Sequence, residues 1–255
     1  MPYVFAFEEG SKEQKFLLGG KGANIIFADA DLDDAVDGAL FAVFFNTGEC
    51  CVAGSRLLVQ DSIADEFLSR LVEKAERLTV GLPHDEQAEL GALIHEGHLE
   101  QVLGYVEAGK EEGAQLLTGG GRIGGEFAQG CFVEPTIFDG VRPQMRIFRE
   151  EIFGPVLSAT RFDDADDAIR LANDTKYGLG NSLWTKNVDT AVGVSRGLRS
   201  GTVWVNTTLD SAPQMPFGGV KASGYGREMG RAGLEDFTEI KSCVIRTGKR
   251  TPYYR

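Results

Sequence analysis

Apolar and polar positions along this chain fall into short β-like runs separated by longer stretches of helical period. Residues 24–27 are a brief β-branched run, and Asp29 or Asp31 can cap the helix that follows. There Val36, Leu40 and Val43, with Ala35, Ala39 and Ala42, recur at helical spacing. A strand over 55–59 leads to Asp61-Ser62, a cap for a helix with the apolar stripe Ile63, Phe67, Leu71, Ala75 and Leu78. A further helix is expected over 99–112, and then a glycine-rich exposed turn at Gly119, Gly120, Gly121, Gly124 and Gly125. Next come strands over 131–138 and 155–162, and a helix capped at Asp163-Asp164 with Ala165, Ala168, Ile169 and Ala172 inward. A strand over 182–185, a helix over 188–198 and a strand over 202–206 complete the alternation. Residues 16–20 read as a short strand ending on paired glycines, and 237–245 as a late β-run. This order predicts an α/β fold, a layered, mostly parallel sheet with flanking helices and a C-terminal strand.

Composition narrows the class. The 255 residues are 42% hydrophobic, ample for a buried core in one large or two small domains. A formal net charge of −12 argues against a surface that tracks phosphates, so nucleic acid is not an expected partner. No apolar run approaches the ~18–20 residues of a membrane span. The apolar start lacks a basic flank and is interrupted by Glu8-Glu9, unlike a signal peptide, so a cytoplasmic protein is expected. The four cysteines, Cys50, Cys51, Cys131 and Cys243, show no framework spacing, and reduced thiols are the expectation.

Two of those cysteines carry the candidate chemistry. In Phe44-Phe45-Asn46-Thr47-Gly48-Glu49-Cys50-Cys51-Val52-Ala53-Gly54-Ser55, a Gly-bracketed turn joins a helical run to a β-like run. Such a bend can present a thiol, whose thiolate is the nucleophile once backbone N–H groups or a cation lower its pKa. Arg56 is the nearest cation in sequence, although spacing does not show that it faces the sulfur. On residue types and spacing alone, two buried packing cysteines are the favoured reading.

The stretch resembles the nucleophile loop of the NAD(P)-dependent aldehyde dehydrogenases, and four more segments resemble that family in its order. They are Leu18-Gly19-Gly20-Lys21, Glu150-Glu151-Ile152-Phe153-Gly154-Pro155-Val156, Gly201-Thr202-Val203-Trp204-Val205-Asn206, and Pro216-Phe217-Gly218-Gly219-Val220-Lys221 running on to Ser223-Gly224. The resemblance spans nearly the whole chain but about the C-terminal half of a family member. It implies a leader with the remnant of a cofactor-domain strand at 1–18, a catalytic α/β domain at 19–230 and a tail with an oligomerisation strand at 231–255.

The resemblance also implies the roles. Cys51 corresponds to the nucleophile, with Cys50 as its packing neighbour, and the Cys51 backbone N–H to one oxyanion donor. Glu151 corresponds to the carboxylate that holds the nicotinamide ribose, and Phe153 to the aromatic beside the nicotinamide ring. The cofactor is then NAD or NADP and the partner an aldehyde. Phe217 and Ser211 match positions along the substrate tunnel. Glu239 and Arg227 match charges paired at the dimer interface, and a homo-oligomer through the tail strand is implied. Leu17 stands where hydrolysing relatives carry the general-base Glu, and Leu can neither accept a proton nor hold a water. Glu228 matches a second glutamate implicated in proton movement and is the substitute; its bland reading is an exposed helix-start carboxylate.

The implied reaction is oxidation of an aldehyde to an acid through a Cys51 thioester. The alternatives are a non-catalytic half that associates with full-length subunits and a cofactor-independent, esterase-like acyl transfer through Cys51. Two other signals are set aside. Gly224-Tyr225-Gly226 with Gly230 lacks the spacing and preceding strand of a phosphate loop. His95 and His98 could share a helix face but have no third ligand, so no metal site is assigned.

Overall fold

The computed structural model describes residues 20–249. The expected strand over 16–20 and the position of Leu17 lie outside the described residues, apart from Gly20. Seven strands form one sheet: β1 (Ala23–Ile26), β2 (Arg56–Gln60), β3 (Gln115–Thr118), β4 (Thr136–Asp139), β5 (Val156–Phe162), β6 (Gly180–Trp184) and β7 (Thr202–Val205), in the order β3-β4-β5-β2-β1-β6-β7. Every pairing is parallel except β3 with β4. The sheet is therefore the layered, mostly parallel one expected.

Central strands of a parallel sheet are covered on both faces, which is why they read as nearly continuous apolar runs. Ile25 and Leu58 join one core with residues of α3 (Glu96–Glu111), α5 (Ala165–Asn173) and α6 (Val188–Gly197). Ile26, Leu57 and Val59 join the other, with α1 (Leu32–Phe44) and α2 (Asp61–Ala75). Alternate residues thus serve opposite layers.

Several local expectations need correction. Asp31 occupies the N-cap of α1 without a side-chain cap bond, while Asp29 accepts from Thr185 Oγ1 at 2.8 Å. Helix α2 starts at Asp61 with Gln60 at its N-cap, so Asp61 and Ser62 lie in the first turn, and Leu78 falls past its end. Asp164 does cap α5, accepting from Asp167 N at 2.9 Å. The strand expected over 131–138 shortens to β4, since Pro135 has no N–H to give a ladder. Strand β3, the short helix α4 (Arg146–Arg149) and α7 (Gly230–Asp236) were not expected. The run 237–245, expected as a strand, has no regular secondary structure in the single chain. Its Phe237, Ile240 and Val244 are almost fully exposed, so neither a ladder partner nor a packed face is present to fix it.

Candidate active site

The thiol turn is built by the exit from α1. Asn46, Thr47 and Gly48 take successive left-handed conformations with φ of 51°, 56° and 75°, which reverses the chain. For Asn and Thr that conformation costs about 1–2 kcal/mol each unless local bonds offset it. Here Asn46 Nδ2 donates to Glu49 O at 2.9 Å, and Gly91 N donates to Thr47 Oγ1 at 3.2 Å. Gly48 is required for a second reason: a Cβ there would stand 2.2 Å from Gly154 O. The turn is seated directly on the Phe153-Gly154-Pro155 segment. Beyond it, Ala53 N bonds Cys50 O at 3.0 Å and Gly54 N returns to Ala42 O at 2.9 Å, leaving Cys50 and Cys51 half-buried just before β2.

The other motif segments converge on the same side. Gly20 and Lys21 precede β1, Glu151 and Phe153 precede β5, and Tyr177 precedes β6, all strands running in one direction. The Pro216–Lys221 stretch joins them, with Val220 N on Gly178 O at 2.9 Å ahead of β6. Open parallel sheets commonly present ligand sites at the carboxyl ends of their strands. This cluster occupies the amino ends instead. A Cβ on Gly20 would meet Cys51 O at 2.6 Å, so the Gly-Gly-Lys backbone lies directly against the thiol turn. Gly20 N donates to Glu151 Oε1 at 3.1 Å, tying that carboxylate into the same corner.

Electrostatics follow from this packing. The Cys50 thiol is lowered to about 6, chiefly because its sulfur accepts from Cys51, helped by the Val52 and Ala53 backbone N–H groups. Cys51, as the donor, is pushed up by the same bond and then by burial, while its own backbone N–H lowers it. Burial raises Glu151 to about 7, against the lowering effects of Gly20 N–H, Lys21 and Lys176. Burial also holds Lys21 well below an ordinary lysine. Its Nζ donates to Ile147 O at 2.5 Å and Glu150 O at 2.6 Å, covering carbonyls at the end of α4.

Arg56 does not serve the thiols. Its guanidinium, fully buried over the Phe148 ring, donates to Leu171 O, Ala172 O and Lys21 O. Phe153 is brought to the turn with its ring 38% exposed and φ at 58°, a left-handed conformation that is costly for an aromatic residue. Phe217 and Glu228 pair through their backbones, at 2.8 Å and 2.7 Å, with the Glu228 side chain exposed. Ser211 is exposed in the loop after β7. Within the single chain Arg227 donates to Gly219 O and Gly226 O. One residue at the centre of the cluster escaped the sequence reading. His98, 9% exposed, reaches both the thiol turn and the Phe153 segment, and its one signal was the spacing to His95.

A carboxylate with one oxygen anchored on a backbone N–H, two residues before an exposed aromatic residue, has a free acceptor oxygen with which to hold diol hydroxyls near a flat ring. Among the described residues no group of three or more His, Cys, Asp or Glu could hold a metal ion. No described helix is long and apolar enough to cross a membrane.

Fold and site together define an α/β protein with a paired-thiol centre at the amino edge of its parallel sheet. The aldehyde dehydrogenase family profile matches residues 6–243, and the chain belongs to that family. An aldehyde dehydrogenase of Enchytraeus buchholzi is 50% identical over 230 residues, covering 90% of this chain and 46% of that protein. A betaine aldehyde dehydrogenase of Bacillus subtilis (strain 168) is 50% identical over 231 residues, 90% of this chain and 47% of that one. The crystal structure of an NAD-dependent aldehyde dehydrogenase from Sinorhizobium meliloti matches with a TM-score of 0.90 at 46% identity, over 93% of this chain and 47% of the other. The chain spans about half the length of the curated relatives it matches.

Proposed function

We propose that this chain carries the thiol chemistry of an NAD(P)-linked oxidation of an aldehyde to a carboxylic acid, with Cys51 as nucleophile. The observation that carries the reading is the packing of the half-buried cysteine turn, which seats Cys51 against Gly20 and Gly48 against Gly154, with Gly20 N bonded to Glu151. Loss of the Cys51 proton gives the thiolate, which adds to the aldehyde carbon to give a thiohemiacetal. The Cys51 backbone N–H, beside its own sulfur, is a donor for the developing oxyanion. Glu151 would accept the ribose hydroxyls of the dinucleotide and Phe153 would flank its ring. When bound, NAD or NADP supplies the hydride acceptor.

Loss of hydride leaves an acyl thioester on Cys51. Its hydrolysis needs a base, and Leu17 offers none. Glu228 is the proposed substitute, and its exposed carboxylate makes deacylation the slow step. Phe217 and Ser211 would contact the aldehyde. We assign residues 19–230 to catalysis, 231–255 to oligomerisation through the exposed 237–245 run, and the protein to the cytoplasm, where its four free cysteines stay reduced. The Leu17 substitution also favours a second reading, acyl transfer through Cys51 without dinucleotide.

Mixing the protein with NAD and a panel of aldehydes should give a burst of one equivalent of NADH that then stalls, absent in Cys51→Ser. Folded protein that gives no absorbance change, yet releases nitrophenol from a nitrophenyl ester in a Cys51-dependent way, would replace the dehydrogenase reading with the second one.

A further inference from the structure

We propose that His98 is a positioning residue that locks the thiol turn and the Phe153 segment into one unit. This rests on the roles given above to Cys51 and Phe153. Three elements meet at its imidazole. Nε2 lies 2.6 Å from Phe153 O, a distance at which that nitrogen must carry the hydrogen and donate. The same Nε2 is 3.5 Å from Glu49 Oε1, a polar contact rather than a second hydrogen bond because its one hydrogen goes to Phe153 O, and Glu49 directly precedes Cys50. Glu49 Oε1 also accepts from Ile94 N at 3.3 Å, and His95 Nδ1 accepts from His98 N at 3.0 Å as the cap of α3. The His98 side chain is 11% exposed and that of Glu49 17%, so water competes little for these contacts.

The geometry explains a strained residue. Phe153 keeps φ at 58°, and such a conformation persists only where its surroundings over-determine it. The His98 bond grips Phe153 at its carbonyl, and the next residue, Gly154, lies between the Val102 side chain and Gly48. One turn of α3 therefore supplies both the His98 donor and the Val102 wall. On the other side Glu49 holds the turn whose tip carries Cys50 and Cys51. His98 thus sets the distance between the sulfur that attacks the aldehyde and the ring beside the hydride acceptor. A displacement of about 1 Å between such groups can cost on the order of 100-fold in rate.

The test compares the full chain with His98→Leu, which removes the donor, and His98→Gln, whose amide can still donate to Phe153 O. Hydrogen exchange resolved by peptide and the rate of Cys51 alkylation by iodoacetamide are read without dinucleotide. NADH formation in the first turnover is read with it. Leu should speed exchange in both 46–53 and 152–156, leave β1, β2 and β5 protected, change the alkylation rate several-fold and slow the first turnover about 10-fold or more. Gln should restore all of these to within about threefold of wild type. Exchange and alkylation unchanged in Leu, or the same loss in Gln as in Leu, would overturn the proposal. If Leu opens the whole sheet, His98→Ala replaces it under the same criteria. Absence of NADH formation in the wild type counts against the dehydrogenase reading alone, because exchange and alkylation still decide the role of His98.

Discussion

Glu151 shows how one side chain can link the site to stability. Burial raises its carboxyl from 4.5 to about 7 in the folded chain, whereas unfolding returns it to water. A raised folded pKa means that the folded state binds the proton more tightly. The resulting stability is fully present below about 4.5 and is lost as pH rises through about 7. One unit corresponds to about 1.4 kcal/mol, which puts an upper bound of about 3 kcal/mol on the change. Partial exposure of the carboxylate reduces this to ~1–2 kcal/mol. Glu151→Gln keeps an oxygen for Gly20 N but carries no charge. Its stability relative to wild type should therefore rise by ~1–2 kcal/mol from about pH 5 to about pH 8, read from urea midpoints. A constant difference across that range would show that Glu151 titrates as it does in water. The same substitution should also weaken NAD binding, because a neutral amide is a poorer acceptor for two hydroxyls.

At the scale of elements, Arg56 shows why some of the structure was legible in sequence and some was not. It opens β2, yet its guanidinium crosses beneath β1 to bond Lys21 O and the carbonyls of Leu171 and Ala172 at the end of α5. Arg56→Ala would remove the side-chain donor from all three carbonyls, leaving Leu171 O only its bond from Asp174 N at 3.2 Å, and should destabilise the chain by about 3–5 kcal/mol in chemical denaturation. Arg56→Lys should recover only part of this, since one ammonium cannot reproduce the fork. A loss below about 1 kcal/mol would mean that water replaces the guanidinium. Sequence spacing put Arg56 near the cysteines and could not reveal that it points away. By contrast, the apolar stripe of α2 and the buried runs of β1, β2 and β5 were readable, because a face packed on one layer leaves a periodic trace. Strand β3 left none: Gln115 to Thr118 follow α3 at once, and the pairing with β4 is fixed by tertiary contact. The thiol turn was readable as a motif. The contact of Gly20 with the thiol turn and the grip of His98 on Phe153 depend on groups meeting in space, which spacing does not encode.

At the scale of the whole molecule, the unsettled surface is the tail. Among the described residues strand β7 closes the sheet order and pairs only with β6, so one of its edges has no strand partner there. Beyond α7 the chain runs on with Phe237 at 90%, Ile240 at 102%, Val244 at 95% and Ile245 at 78% exposure. Ile240 and Val244 are four apart, so in an extended conformation they share a face. Side chains this exposed among the described residues contribute little packing to the monomer, and lysines there remove little. Ile240→Lys combined with Val244→Lys should therefore change monomer stability by less than about 0.5 kcal/mol. If the tail joins subunits by adding a strand to a partner's sheet, burial of two such side chains contributes ~3 kcal/mol or more per tail, enough to shift dissociation by over 100-fold. Light scattering coupled to size exclusion should then show an oligomer for the wild-type chain and a smaller species for the double variant at the same concentration. Equal masses for an oligomeric wild type and variant would assign assembly to another surface, and the exposed Phe41–Phe45 ring pair beside the thiol turn would be the next to substitute.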